Sequence, residues 1–496
     1  MSKTQCRPNI LWIVSDQHNP HIAGFAGAER SFTPNLDRLA RSGTHFTSAY
    51  CQSPLCVPSR ISFLTGKYPF RCDAYDNASV LAPEHVTIAR HLAMHGYATV
   101  LVGKAHLRGP QWMGDFDERP YGDLRVGRFC FHQPDPTETW DGRWNSHSVG
   151  RFPWAGATRI PESMLNDGIA SREAVAALHR LASARPAKPW LLCVGYSRPH
   201  FPLTAPERYI RRAMENLPPL PLRPEGYPDA LHPHDRFIVN DFHLQIFPNE
   251  EQQHALACYY ACVNYLDDCI GELLEAMDRL DMLEDTIVVY TSDHGDMAGE
   301  HGLWWKRTYY DASAAVPLLI AGPGLGSEAT VNTPVELVDL FPTFCDLAGV
   351  PVPEGLDGES LLPLCRGRLA ERLKKTARSE LLGERPETAF RMIRSERWKY
   401  VTFPETSDRL FDLEHDARET RDQLAEAPSS EVKGAAAQLH DELLGGRGWD
   451  EIARMRQQDA RRWTDIERHP DAGPTQYRLA DGRIVEADIS LYPELG

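Results

Sequence analysis

The chain alternates short, nearly unbroken apolar runs with longer stretches whose apolar residues recur at helical spacing. A run of about four to eight apolar residues suits a strand buried on both faces, and the wider spacing suits a helix with one buried stripe. Asn9–Ser15, Ala98–Val102, Pro189–Tyr196, Thr286–Thr291 and Val316–Ala321 are of the first kind. Helices are expected between them. One is opened by Thr33 as N-cap with Pro34 at its first position; Leu36, Leu39 and Ala40 form its apolar face and Gly43 ends it. Others are expected over Thr87–His95, stopped by Gly96, over Ser171–Ala184, and over about Glu250–Leu280. In the last, Leu256, Tyr260, Val263, Leu266 and Ile270 share a helical face.

Buried strands separated by helices predict an α/β fold with a large, mostly parallel sheet covered on both faces. The pattern changes after residue 370. Phe390–Phe403 reads as two strands joined by a tight turn and LFDL (410–413) as a third, followed by charged helices and a polar tail. The expected organisation is a catalytic α/β domain over 1–370, a smaller α+β subdomain over 371–470, and an extended C-terminal arm over 471–496.

Composition narrows the function. The 496 residues are 42% apolar and 25% charged, as in ordinary globular proteins. With 53 basic and 69 acidic residues the net charge is −16, and no basic run occurs, so nucleic acid is not expected as a partner. No apolar run approaches the roughly 18 residues of a membrane span, so no membrane partner is expected either. The run Ile10–Val14 is too short for the core of an export signal. Eleven cysteines without a framework read as reduced thiols, which makes the cytoplasm the expected compartment.

Open parallel sheets bind ligands beyond the carboxyl ends of their strands. Chemically loaded residues follow four of the predicted strands: Asp16-Gln17, Lys104 with His106, His200, and Asp293-His294. Asp16, Gln17, Asp293 and His294 would offer oxygen donors and one imidazole to a hard divalent cation. A lone aspartate after a strand is more often a helix cap; two at one rim favour a site. Lys104 and His106 would share a face in extended backbone. His200 is flanked by Pro199 and Pro202, which restrict it. Lys306 alone would read as a surface lysine.

The stretch SPLCVPSR (53–60) sets a thiol two residues before a proline and four before an arginine. A fixed backbone and a nearby cation are what a chemically used cysteine requires. Read further, CVPSRISFLTG matches C-x-P-S-R-x-x-x-L-T-G at Cys56, Pro58, Ser59, Arg60, Leu64, Thr65 and Gly66. NILWIVSDQ, GKAH, RPH, TSDHGDMAGEHGLWWK and LFDLEHDARETRDQL occur in matching order, over roughly residues 8 to 425. This constellation resembles the formylglycine-dependent sulfatases of the alkaline-phosphatase-like superfamily, whose fold is an α/β/α sandwich.

The resemblance implies a chemistry. Cys56 would be oxidised to Cα-formylglycine by the formylglycine-generating enzyme, which would recognise Pro58 and Arg60. The hydrated aldehyde is a geminal diol: one hydroxyl would attack sulfur while the S–O bond to the alcohol breaks and the alcohol leaves, and the second, once deprotonated, would expel sulfate and restore the aldehyde. The metal ligands would be Asp16, Gln17, position 56, Asp293 and His294, with calcium the first choice and manganese or magnesium open. Arg60 and Lys104 would stabilise the hydrate and the anionic group. His106 would be the base for the second hydroxyl, with His200 the alternative. His200 and Lys306 would hold the transferred group or assist the departing oxygen.

Many members of this family carry two adjacent aspartates where this chain has Asp16-Gln17. That variant resembles the choline-sulfatase and phosphonate monoester hydrolase branches. YDNA (75–78) resembles the choline-sulfatase branch and marks Asn77 as a substrate contact. Trp140, Trp144 and Trp304 would cage a quaternary ammonium or pack the core. The expected activity is hydrolysis of an alkyl or aryl sulfate ester, a small molecule, to alcohol and sulfate. The alternative is a phosphonate monoester or phosphodiester hydrolase. A non-catalytic binding protein would have lost an essential group, and none is missing. Loops around 107–165 and 200–250 would set specificity. A homodimer or homotetramer is expected, with the arm packed on a neighbouring subunit.

Overall fold

Strand β1 (Asn9–Asp16) shows why its apolar run becomes a central strand. Successive side chains of a strand point to opposite faces. Ile10, Trp12 and Val14 enter one hydrophobic core, and Leu11 and Ile13 enter another across the sheet. Both faces are therefore dry. The protein is represented here by a computed structural model that describes residues 7–107, 113–122, 152, 155–184, 188–383, 386–425, 427–445, 447–462, 476–478 and 484–486.

The other strands, in chain order, are β2 (Gly43–Tyr50), β3 (Ala98–Gly103), β4 (Glu118–Tyr121), β5 (Gly156–Ala157), β6 (Trp190–Pro199), β7 (Thr204–Ala205), β8 (Thr286–Ser292), β9 (Ala315–Ala321), β10 (Ala329–Val331) and β11 (Val335–Glu336). The large sheet has the order β10-β2-β9-β8-β1-β6-β3-β4, with β11 also paired to β2. β8, β1, β6 and β3 are mutually parallel neighbours, so their carboxyl ends open on one rim. Only β9 runs antiparallel to its partners, β2 and β8. The mostly parallel α/β sheet expected from the sequence is thus observed.

Seven helices carry most of the covering layers: α1 (Pro34–Arg41), α2 (Cys56–Thr65), α3 (Ile88–Met94), α4 (Asn166–Ser183), α5 (Glu207–Glu215), α6 (Pro233–Asp241) and α7 (Asn249–Arg279). α1, α4, α5 and α7 contribute to the core of one face, and α2, α3 and Leu340–Ala348 to the other.

Several boundaries differ from expectation. Gly43 does not end α1; Ser42 does, and Gly43 opens β2. A Cβ there would stand 2.3 Å from the Ile320 carbonyl oxygen, so the glycine serves close strand pairing. Thr33 makes no capping bond to the helix backbone; its hydroxyl accepts from Gly24 N at 2.8 Å and donates to Asp37 instead. α4 begins at Asn166, not Ser171. Gly168, which looks like a breaker, sits where a Cβ would meet the Glu162 carbonyl at 2.4 Å.

Beyond the large sheet, β12 (Ala377–Leu381), β13 (Phe390–Arg394), β14 (Trp398–Thr402) and β15 (Arg409–Asp412) form an antiparallel sheet in that order. The hairpin and third strand read from the sequence are present, and β12 joins them. Leu439 and Leu443 of the helix Ser430–Leu444 pack on Ile393, Tyr400 and Leu410. Two cations, one buried and one partly buried, fasten this sheet to the segment after Lys306. Lys399 donates to the Tyr309 carbonyl at 3.0 Å and pairs with Asp311 and Glu419. Arg409 donates to the hydroxyls of Tyr309 and Tyr310 and pairs with Asp235.

Of the arm, Gln476–Arg478 and Ile484–Glu486 pair antiparallel, and the first lies near β4 of the same chain. The rest of 471–496 lies outside the described residues. Among the described residues, nine cysteines are buried and none forms a disulfide. No described helix is long and apolar enough to cross a membrane.

Candidate active site

SPLCVPSR is not a turn throughout. Cys56 is the first residue of α2, preceded by extended Leu55. Pro58 falls in the first helical turn, where its missing N–H deprives the helix of no bond. Arg60 follows Cys56 by four residues, so both occupy one face of the helix. That face meets the rim where β1, β3, β6 and β8 end. The positive end of the helix dipole therefore points at the site. Asn77 joins here: its Oδ1 accepts from Val57 N at 3.1 Å, capping α2 beside Cys56.

The strand ends deliver their side chains as the sequence suggested. Asp16, Cys56, Asp293 and His294 place one ligand atom each within 4.8 Å of one another, all buried. His294 Nε2 lies 3.3 Å from Cys56 Sγ and 3.7 Å from Asp293 Oδ1. Its Nδ1 is 2.9 Å from the Gly295 carbonyl, an acceptor that holds the proton on Nδ1, so that in the neutral ring Nε2 is the lone pair. Gln17 stands between these groups. Its N–H donates to Asp293 Oδ1 at 3.1 Å, and its buried side-chain Oε1 has no hydrogen-bond partner among the described residues.

Three cations surround the cluster. Lys306 Nζ is 2.9 Å from Cys56 Sγ and 3.2 Å from His294 Nε2. Lys306 is thus buried in the site and not a surface lysine. Arg60 Nε donates to Asp293 Oδ2 at 2.8 Å, its Nη1 to the Lys104 carbonyl at 3.0 Å, and its Nη2 lies 3.6 Å from Asp16 Oδ2. Lys104 pairs with Asp16. Lys104 and His106 reach the site without an extended backbone: β3 ends at Gly103, and His106 has a positive φ of 54°. His200 is tied to β1 through its N–H to the Asp16 carbonyl at 3.0 Å, while its Nδ1 faces the Phe201 carbonyl at 2.7 Å.

Proton affinities follow from this crowding. Burial alone would raise the Cys56 thiol. The Lys306 ammonium and the His294 ring, with hydrogen bonds from His106 and His200, outweigh burial and hold the thiol well below its ordinary value. Burial and Cys56 push Asp16 upward, but Lys104, His200 and Lys306 win and hold its carboxyl below the usual range. Burial disfavours the Lys104 ammonium, yet Asp16 and Cys56 keep it above the ordinary lysine value. Burial, then Lys306, push His200 down to about 3, so its ring is neutral near pH 7.

These side chains fit a hard divalent cation. The donors are carboxylate oxygens, an amide oxygen and one imidazole. Opposite ligands of calcium stand about 4.6–5.2 Å apart, the scale of the cluster. The unpartnered Gln17 Oε1 is a buried acceptor that only a donor or a cation would satisfy.

Two features were not anticipated. Ser59 Oγ donates to the Asp293 carbonyl, and Asp296 accepts from Gln17 Nε2. Asp296 lies in the quoted run TSDHGDM, three residues after Asp293, but nothing in that spacing distinguishes it from a turn residue. Trp304 is fully buried, with its indole N–H donating to Gln252 Oε1 at 3.0 Å. It packs in the core. Trp140 and Trp144 lie outside the described residues.

A thiol at a helix N-terminus, ringed by cations and facing a cluster of hard ligands, is an arrangement suited to binding and splitting an oxyanion ester. The chain belongs to the sulfatase family: residues 8–350 match it, and residues 299–447 match the family described as N-sulphoglucosamine sulphohydrolase, C-terminal. It is a sulfuric ester hydrolase. Choline-sulfatase of Rhizobium meliloti (strain 1021) is 35% identical over 94% of this chain and 92% of its own. Arylsulfatase K of Canis lupus familiaris is 30% identical over 83% of this chain and 78% of its own. Two solved structures share the fold. BT4656, in complex with its substrate D-glucosamine-2-N,6-O-disulfate, has a TM-score of 0.73 at 24% identity, covering 90% of this chain and 99% of its own. The phosphonate monoester hydrolase of Agrobacterium radiobacter has 0.71 at 22%, covering 97% and 99%.

Proposed function

We propose that this sulfatase acts on a small alkyl or aryl sulfate ester, choline sulfate foremost, using Cys56 after its conversion to Cα-formylglycine. Supporting the substrate is the 35% identity to a choline-sulfatase over nearly the whole chain. Supporting the nucleophile is one observation above others: Cys56 Sγ stands at the first position of α2 with Lys306 Nζ at 2.9 Å and His294 Nε2 at 3.3 Å. Sγ occupies the place where the oxygens of the hydrated aldehyde would stand.

Asp16, Gln17, Asp293 and His294 would hold calcium together with the modified residue 56. When bound, the ion supplies positive charge that favours the ionised nucleophile and the sulfate oxygens. The hydrated aldehyde supplies two hydroxyls on one carbon, one to attack sulfur and one whose deprotonation releases sulfate. The chain's own residues do the rest. Arg60 fixes Asp293 and Asp16, and so fixes the ligand set. Lys104 and Lys306 bring fixed positive charge to the transferred sulfuryl group. His106 accepts the proton of the second hydroxyl. His200, neutral at pH 7, orients the sulfuryl oxygens or the departing oxygen.

The test is a substrate panel on purified enzyme: choline sulfate, an aryl sulfate, a phenyl phosphonate monoester and a phosphodiester, with sulfate and phosphate release measured in parallel. Choline sulfate with the highest kcat/KM is expected. A phosphonate or phosphodiester leading the panel would overturn the substrate assignment.

A further inference from the structure

The amide of Gln17 has two ways to lie, and only one gives a cation an oxygen. Its backbone is held in place. φ is +66°, the N–H is spent on Asp293 Oδ1 at 3.1 Å, and the carbonyl accepts from Tyr259 Oη at 2.6 Å. Oxygen and nitrogen of an amide are nearly the same size, so shape does not choose between the two orientations; a hydrogen-bond partner must.

Asp296 is that partner. Its Oδ1 accepts two backbone N–H groups, from Ala298 at 2.8 Å and from Trp305 at 3.1 Å. Its Oδ2 accepts from Gln17 Nε2. A carboxylate can only accept, so it demands the nitrogen of the amide and turns Oε1 away. Gln17 Oε1 is left buried without a hydrogen-bond partner among the described residues. Asn19 Nδ2 donates to the Asp296 carbonyl at 2.7 Å, fixing the acceptor in turn. An aspartate at position 17 would have no amide to turn over; the glutamine creates the need.

We infer that Asp296 is a positioning residue: it sets the Gln17 amide so that Oε1 is presented as a metal ligand. This rests on the reading of Gln17 as a ligand. Because Asp296 also accepts from Trp305 N, it links that ligand to the segment carrying Lys306.

In D296N the new side chain keeps an oxygen for the two backbone N–H groups but turns an N–H toward Gln17. The amide must then turn over and show its nitrogen to the cation. In Q17E/D296N a carboxylate at position 17 accepts that N–H with one oxygen and offers the other. The experiment is calcium titration by calorimetry of chelator-stripped full-length wild type, Q17A, D296N and Q17E/D296N, with the melting temperature of each metal-free form. D296N is expected to weaken calcium binding by about 10- to 100-fold, the usual range for a residue supporting a ligand, with little change in metal-free melting. The double variant is expected to return to within about threefold of wild type, where the single one does not. If Q17A weakens binding but D296N does not, the positioning role is wrong. If the double variant stays as weak as D296N, Asp296 acts through the fold and the inference falls. If Q17A binds calcium like wild type, or wild type does not bind it, the ligand reading fails and takes this inference with it.

Discussion

Arg60 donates through Nε to Asp293 at 2.8 Å, while one helical turn earlier Cys56 faces the same cluster. The motif arginine is thus a strut between α2, which begins at Cys56, and the end of β8. Both partners are fully buried, so the pair is hard to replace. R60M is expected to destabilise the protein by about 3–5 kcal/mol, because it leaves Asp293 uncompensated. R60K, which keeps the charge but loses the fork, is expected to lower kcat by about 10²–10³-fold with a smaller loss of stability. Chemical denaturation and steady-state kinetics check both.

His106 and His200 both lower the proton affinity of Cys56, and the proposed chemistry gives them different proton work. If His106 takes the proton of the second hydroxyl, H106A should release about one equivalent of alcohol per enzyme rapidly and sulfate slowly. H200A should slow both products together. Rapid-quench measurement of alcohol and sulfate separates the two. A burst in H200A but not in H106A would exchange the roles.

Removal of the divalent ion should abolish turnover and lower stability. At a hundredfold excess over Kd a ligand of the folded state adds about 2.7 kcal/mol. Chelation followed by dialysis should lower the melting temperature, and calcium should restore both stability and activity. Activity unchanged after verified removal of metal would rule out the ligand role of Asp16, Gln17, Asp293 and His294.

His301 supplies a pH dependence away from the cluster. Its ring stacks on Tyr310 at 4.0 Å, and burial pushes its pKa down to about 4 despite Asp235 nearby. An unfolded histidine titrates near about 6.5. The folded state therefore binds the proton more weakly. The stability it contributes is complete above pH 6.5 and is lost as pH falls toward 4, by about 3 kcal/mol at most. His301 has a φ of 56°, which asparagine tolerates. H301N should flatten that part of the stability curve, measured by urea unfolding between about pH 7 and pH 4.5.

How far the sequence reached depends on the kind of signal. Ile10–Val14 and Thr286–Thr291 announced buried strands because both of their faces are apolar. Asp16, Lys104, His200 and Asp293 were legible as site residues because they follow such strands. The helical start at Cys56 was obscured by Pro58, which reads as a turn unless the first-turn exception is recognised. β2 (GTHFTSAY) escaped notice because polar residues interrupt its apolar ones and it pairs with the one antiparallel strand of the large sheet. Gly43 and Gly168 looked like punctuation because close packing against a distant carbonyl leaves no local mark. The role of Asp296 depends on a fold that brings β1 beside β8, which no spacing records.

The most direct measurement is a mass spectrum of the Cys56 peptide from active enzyme, taken across preparations that differ in specific activity. Turnover is expected to rise in proportion to the fraction carrying the aldehyde and to vanish in C56A. Full turnover from enzyme whose residue 56 is entirely unmodified thiol would contradict the assignment.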